Sequence, residues 1–369
     1  MPMPLIAPCS TLSRVLVSCL GAILLASTAT VARAAAGVAY VTNQNGDVTV
    51  IDLATMAPTG TISAGGKEPR GIGVTADGKM LVLANREGGA VAVIDRVSGK
   101  LLRHVRVGEN PEFVRTRGHL AFVTYEPTST GGPPARPGSG VASGPGKGDD
   151  DEVHTPAHVA IVDLDKGVVI RSIQGGLETE GVEFTPDGKD IVVANEADGT
   201  LTVHAIATGT LIKTIDLKPY GVRPRGIKLS PDGTSYVATL EFSNVFVVLD
   251  TGFKVVRTVK TGDAPYGLSF DRTGGRLFVA AARGKLLQVF DTSTWTSVKD
   301  VPIGARCWHF TFTPDDKSIL LACGRSNEVV VVDTGTLETV KHIPDDQMPW
   351  GIVTYPKSSG SLDQVESNR

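Results

Sequence analysis

Several signatures are missing from this 369-residue chain. There is no Cys-x-x-Cys-His, which excludes covalently attached haem, and no Gly-x-Ser-x-Gly, which excludes the nucleophile turn of the α/β-hydrolases. Cysteine is scarce, with four residues, and aromatic residues make up 5%. An excess of basic charge is also missing: 36 Lys and Arg face 39 Asp and Glu. A general nucleic-acid or anionic-membrane binder needs a basic surface, so neither is expected. Helix-favouring composition is weak. In its place stand 42 Gly, 22 Pro and recurrent Val, Ile and Thr, the profile of many short strands and tight turns.

The one long apolar run is near the N-terminus, from Val15 to Leu25, between Arg14 and Arg33. It is too short to span a bilayer comfortably, which takes about 20 residues. Ala32-Arg33-Ala34 fits a small-x-small cleavage site, so residues 1–34 read as a signal peptide cut near Ala34 and the destination as the periplasm. Cys19 follows a lipoprotein-like Leu16-Val17-Ser18, but the apolar stretch before it is too short for that use. Removal of the leader leaves 34 basic against 39 acidic side chains, a net charge of −5. No second long apolar run follows, so the mature protein should be soluble; a monomer is expected.

A phrase of about forty residues repeats: Pro-x-Gly-Ile, a Thr-Pro-Asp-Gly-Lys turn, Val-Ala-Asn, then Val-x-Val-Ile-Asp. Its clearest turns are Thr185-Pro186-Asp187-Gly188, Ser230-Pro231-Asp232-Gly233 and Thr313-Pro314-Asp315-Asp316. Pro presets φ, while Asp and Gly accept the turn geometry. The final Asp falls at 52, 95, 163, 250, 291 and 333, with Ala205 in its place once. The intervals are 43, 68, 42, 45, 41 and 42 residues, which makes seven units with one insertion. The fold class is therefore all-β, a seven-bladed β-propeller over residues 35–356 with four antiparallel strands per blade. The chain starts at a second strand, Val38–Asn43, and ends on a lone first strand, Trp350–Tyr355. The C-terminal strand should complete the first blade and hide two sheet edges. Residues 357–369 read as a disordered polar tail.

The insertion, 127–152, lies between the second and third strands of blade three. From Pro127 to Gly148, 12 of 22 residues are Gly or Pro, and Asp149-Asp150-Asp151-Glu152 follows. It reads as a flexible solvated spacer, with a lid over the central opening as the sharper alternative. His154 and His158 beside it make a poor metal cage, and no metal or other cofactor is expected.

Ligands of propellers usually meet the mouth of the central channel. The residue opening each inner strand gives, in ring order, Trp350, Arg70, Glu112, Glu180, Arg225, Tyr266 and Trp308. The ring is charged over blades two to five and aromatic over the rest. Such a mouth suits a small molecule with a planar or sugar ring and an anionic group, or a periplasmic partner protein. The competing reading makes Arg70–Glu112 and Glu180–Arg225 ion pairs between blades, with the aromatics plugging the channel. Neighbouring loops add Asn85, Arg86, Tyr125, Asn195, Glu196, Glu241, Arg283 and Arg325. His309 stands where other blades have Gly or Phe113, so its side chain is placed to enter the channel.

Tyr40-Val41-Thr42-Asn43 spells the phrase that names the YVTN β-propeller repeat family, and the resemblance covers residues 38–356. Trp308–Leu321, Val329–Asp333 and Pro349-Trp350-Gly351-Ile352 are similar to periplasmic propellers associated with pyrroloquinoline-quinone-dependent catabolism. That branch implies a non-enzymatic accessory near quinoprotein alcohol oxidation. The Trp repeat of the larger quinone-binding propellers is not found here. The favoured function is thus a non-catalytic periplasmic binder. One alternative is a lactonase-like hydrolase using Glu180, Asn195 and His309, since propellers of that kind place Glu, Arg, His and Asn at the same mouth. A single-strand nucleic-acid binder, suggested for other YVTN propellers, is opposed by the net charge.

Cys307 and Cys323 are the only cysteines after the leader. They open the first strand and close the second strand of blade seven. Counting outward from a Thr313–Ser318 pair places Cys307 opposite residue 324, one position away from Cys323. Changing the turn count by one residue would make them direct partners within disulfide reach. A disulfide, two buried thiols and a metal or redox site remain open, with the disulfide favoured in an oxidising compartment.

Overall fold

The structure is a computed structural model describing residues 37–127 and 155–364. The leader, His154 and all but the first residue of the 127–152 insertion lie outside the described residues. Seven four-stranded antiparallel sheets form the blades. Six are meanders of consecutive strands. In the first, the last strand, β28 (Pro349–Tyr355), pairs with β1 (Val38–Asn43), with Val38 opposite Tyr355 and Tyr40 opposite Val353. The ring thus closes with N- and C-terminal strands in one sheet, as the repeat phase requires. Among the described residues no helix is long and apolar enough to cross a membrane.

The repeated phrase does two local jobs. In the Thr-Pro-Asp-Gly turns the hydroxyl fastens the hairpin: Asp190 N–H donates to Thr185 Oγ1 (3.0 Å), and Thr185 donates to Asp187 Oδ1 (2.8 Å). At the other turn, the Asp that ends Val-x-Val-Ile-Asp accepts backbone amides, as Asp95 does from Ser98 and Asp333 from Thr336. The Ser98 hydroxyl and then its amide hold the Asp95 carboxylate below its ordinary range, and the Thr336 amide does the same for Asp333. The faces between blades are filled by the alternating Val, Ile and Leu of the middle strands, nearly all fully buried.

The innermost strands position the site. They are β4 (Lys67–Val74), β8 (Pro111–Arg117), β12 (Thr179–Phe184), β16 (Pro224–Leu229), β20 (Pro265–Phe270), β24 (Cys307–Phe312) and β28. Each carries a bulge at the same place: Thr179 pairs with Asn195 but Val182 with Val193, and Pro224 with Leu240 but Ile227 with Ala238. The extra residue falls where each strand opens onto the mouth, and a bulge re-aims the side chain there. In five blades the following residue is Gly, because inner strands converge on the axis. A Cβ on Gly226 would lie 2.7 Å from the Tyr266 carbonyl oxygen, and one on Gly351 2.6 Å from that of Arg70. Phe113 and His309 are the two exceptions, and their rings meet at 6.3 Å.

The same bulge resolves the cysteine register. Cys307 pairs directly with Cys323 while His309 pairs with Ala322, so the one-residue offset is absorbed at Trp308. The two sulfurs are joined as a disulfide between β24 and β25 (Ser318–Cys323).

The C-terminal tail needs correction. Instead of trailing as a disordered polar segment, residues 357–364 turn into the channel from the end opposite the mouth. Phe312 N–H donates to Ser359 O, Ser361 N–H to Phe310 O, and Gly360 bridges Thr311. Leu362 is buried with Trp350, Phe113 and Ile72. Polar composition misled because the partners are polar too. Arg115, itself bound to Glu183 at 2.9 Å, donates to Leu362 O, Lys228 donates to Asp363 O, and Lys357 pairs with Asp363.

Candidate functional site at the channel mouth

The ring of side chains expected at the mouth is brought together there, but the members differ in depth. Arg70 pairs with Glu112, and Arg225 with Glu180, each across neighbouring blades. Arg225 also reaches Glu196 (2.7 Å) and Glu241 (2.9 Å). A residue the repeat did not single out, Arg223, contacts Glu178 and Glu196 at 2.6 Å and Glu241 at 3.4 Å; Arg306 also reaches Glu241 at 3.4 Å. The signal was available: Arg223 precedes the Pro of its repeat by one position, so it sits just outside the bulge.

Four guanidiniums (Arg70, Arg223, Arg225, Arg306) therefore serve five carboxyl groups (Glu112, Glu178, Glu180, Glu196, Glu241). Burial raises two of these carboxyls: it lifts Glu196 well above the ordinary carboxylate range against the charges of Arg225 and Arg223, and it lifts Glu180 as well. Burial, then the adjacent Glu112 carboxylate, outweigh Arg225 and push Glu180 up to about 8. Burial acts on Glu112 in the same direction, but the charges of Arg70 and Arg225 and a hydrogen bond from Glu180 hold it below the ordinary carboxylate range. The mouth thus carries one ionised and one protonated carboxyl in contact, the arrangement used for paired base and acid roles.

The aromatic half is mostly floor. Tyr266 and Trp350 are buried, at 4% and 2% exposure. Arg225 donates to the Tyr266 hydroxyl at 2.8 Å and lies 4.4 Å over its ring. Trp308 is half-buried and lies over Gly324, where a Cβ would be 2.0 Å from its ring. His309 is below them, 4.4 Å from the Trp350 ring and 5.5 Å from that of Tyr266. Burial, with the charges of Arg225 and Lys228, keeps its imidazole well below the ordinary value, hence neutral.

Asn195 does not join this group. Its Oδ1 accepts from Gly176 N–H and Thr179 Oγ1 (2.9 Å each), and its Nδ2 donates to Thr202 (3.0 Å). Asn43 and Asn85 tie down equivalent turns in their own blades. The Val-Ala-Asn ending is a turn device rather than a mouth residue. His158 stacks on Tyr125 at 5.3 Å, away from the mouth cluster.

No family model and no curated protein matches the chain. Solved structures do. The periplasmic gluconolactonase PpgL of Pseudomonas aeruginosa is 17% identical, with a TM-score of 0.68 over 86% of this chain and 98% of that one. A Bacteroides uniformis protein proposed to be a 6-phosphogluconolactonase is also 17% identical (TM-score 0.67; 86% and 99% covered). Hydrazine synthase of Kuenenia stuttgartiensis is 21% identical (TM-score 0.64; 80% and 92% covered). At these identities the likeness establishes the seven-bladed propeller. It also corrects one expectation. The sequence placed a non-catalytic binder first and a hydrolase second, and the lactonases built on this ring reverse that order, so the non-catalytic reading is withdrawn.

Proposed function

We propose that the chain is a lactonase-like hydrolase that opens sugar lactones at the channel mouth. The observation carrying this reading is the Glu112–Glu180 pair, one carboxyl ionised and one protonated, flanked by Arg70 and Arg225. Ring opening of a lactone needs water delivered to the carbonyl carbon, charge stabilised on its oxygen, and a proton given to the departing ring oxygen. Glu112 takes the proton from the attacking water. Arg70 and Arg225 supply fixed positive charge for the oxyanion. Glu180 gives its proton to the leaving alkoxide as the C–O bond breaks, and the product is the hydroxy acid.

Resemblance of Tyr40–Asn43 to the YVTN phrase supports a place among those repeat propellers, and the leader supports export to the periplasm. N-terminal sequencing of the exported protein should begin near Ala35; a retained Met1 would overturn export. The activity test is hydrolysis of glucono-δ-lactone and its 6-phosphate, followed by pH-stat against spontaneous opening. Turnover of either, reduced at least about 10²-fold by Glu180→Gln, is expected. No rate above background with both lactones, or an unimpaired Glu180→Gln, overturns the reading.

A further inference from the structure

Beneath Glu180 and Arg225 lies a small void bounded by Phe113, Tyr266, His309 and Ser361. Its free space of about 10 Å³ is that of a single water. His309 Nε2 is buried and has no hydrogen-bond partner. The other ring nitrogen, Nδ1, lies 3.0 Å from the hydroxyl of Ser361, in the tail segment that enters the channel from the far side. Two further contacts fix the direction of that bond. Phe310 N–H donates to Ser361 Oγ at 2.9 Å, and Oγ lies 3.1 Å from Phe310 O. If the hydroxyl gave its proton to Nδ1, its oxygen would face the carbonyl oxygen lone pair to lone pair. If the proton goes to Phe310 O, all three contacts are donor to acceptor, and His309 must carry its own proton on Nδ1. The bond made by one ring nitrogen sets the state of the other.

We infer that the C-terminal segment completes the site: Ser361 is a positioning residue that holds His309 as the Nδ1–H tautomer, so that Nε2 presents a lone pair to the void under Glu180. A water there accepts from the protonated Glu180 or Arg225 and donates to Nε2, which ties the carboxyl proton to a fixed acceptor. Its consequence for turnover rests on the lactonase reading; the tautomer does not.

The test is long-range ¹H–¹⁵N spectroscopy of ¹⁵N-histidine-labelled protein, with His309 assigned by the signal lost in His309→Gln. The wild type should show one neutral tautomer, protonated on Nδ1. Ser361→Ala should give a mixture, with kcat lowered about tenfold and KM changed less than about twofold. Should Ser361→Ala fail to fold, a chain ending at Pro356 serves: it should lose the single tautomer and regain it when a peptide of residues 357–364 is added. An Nε2–H tautomer in the wild type, or an unaltered Nδ1–H tautomer in Ser361→Ala or the shortened chain, overturns the inference. Failure of the wild type to open either lactone overturns the proposed function instead and leaves the tautomer result standing.

Discussion

The proton on Glu180 separates chemistry from packing at the mouth. As a general acid Glu180 works only while protonated, so the rate of lactone opening should decline as pH rises through about 8. The pH profile of kcat in the wild type checks this, after subtraction of spontaneous hydrolysis. Stability should follow the same group. Its folded value of about 8 exceeds its ordinary 4.5, so the folded state keeps a proton that the unfolded chain releases. The favourable contribution is present at pH 4 and is lost progressively up to about pH 8. Melting temperature should therefore fall between pH 5 and 9 in the wild type, and less so in Glu180→Gln; parallel curves would refute the assignment. Asn195→Ala makes a useful contrast. Its side chain satisfies a buried turn, so the loss should be about 1–3 kcal/mol of stability by denaturant titration, with kcat of the folded fraction unchanged.

At the scale of strands and turns, the bulge on each inner strand is the recurring device, and in blade seven it brings two cysteines face to face. The closed loop spans 16 residues, so the bond should contribute about 3 kcal/mol through the unfolded state. Cys307→Ser with Cys323→Ser should lower the denaturation free energy by up to that amount, and peptide mapping without reductant should recover the two cysteines cross-linked. Two free, alkylatable thiols would remove the basis for this expectation. The hairpin turns make a second prediction. Amides and hydroxyls around Asp77, chiefly the Lys79 N–H and then Thr75 Oγ1, lower its carboxyl from 3.8 to about 2. That stabilisation is present above 3.8 and is lost as pH falls toward 2. Asp77→Asn should flatten this part of the acid unfolding curve, measured by circular dichroism.

For the whole molecule, closure and plugging are separable. Removing everything from Trp350 onward deletes the inner strand of the first blade and exposes β1, so cooperative unfolding should be lost or the protein should aggregate. Removing only residues 357–369 should leave seven paired blades but lower the melting temperature. That deletion strips Leu362 from the core and leaves Lys228, whose amine burial and Arg115 press toward neutrality, without the Asp363 carbonyl it donates to. Equal damage from both deletions would show that the tail is part of ring closure.

By itself the sequence determined the number of blades, the strand phase and the closure of the ring. Those depend on local turn chemistry and on a period of two along each strand, both written residue by residue in Thr-Pro-Asp-Gly and Val-x-Val-Ile-Asp. It also determined which side chains share one place on the ring, since one repeat position maps to one such place, but not their depth. Tertiary structure decided the rest. That Asn195 fastens a turn, that Arg223 is shared among three carboxylates, that Glu180 keeps a proton and that Ser361 reaches His309 all depend on contacts between blades or across the channel. Residues 309 and 361 are 52 positions apart, and no periodicity links a polar C-terminal tail to the axis of the ring. Only the convergence of seven inner strands creates the narrow, buried space in which that tail finds its partners.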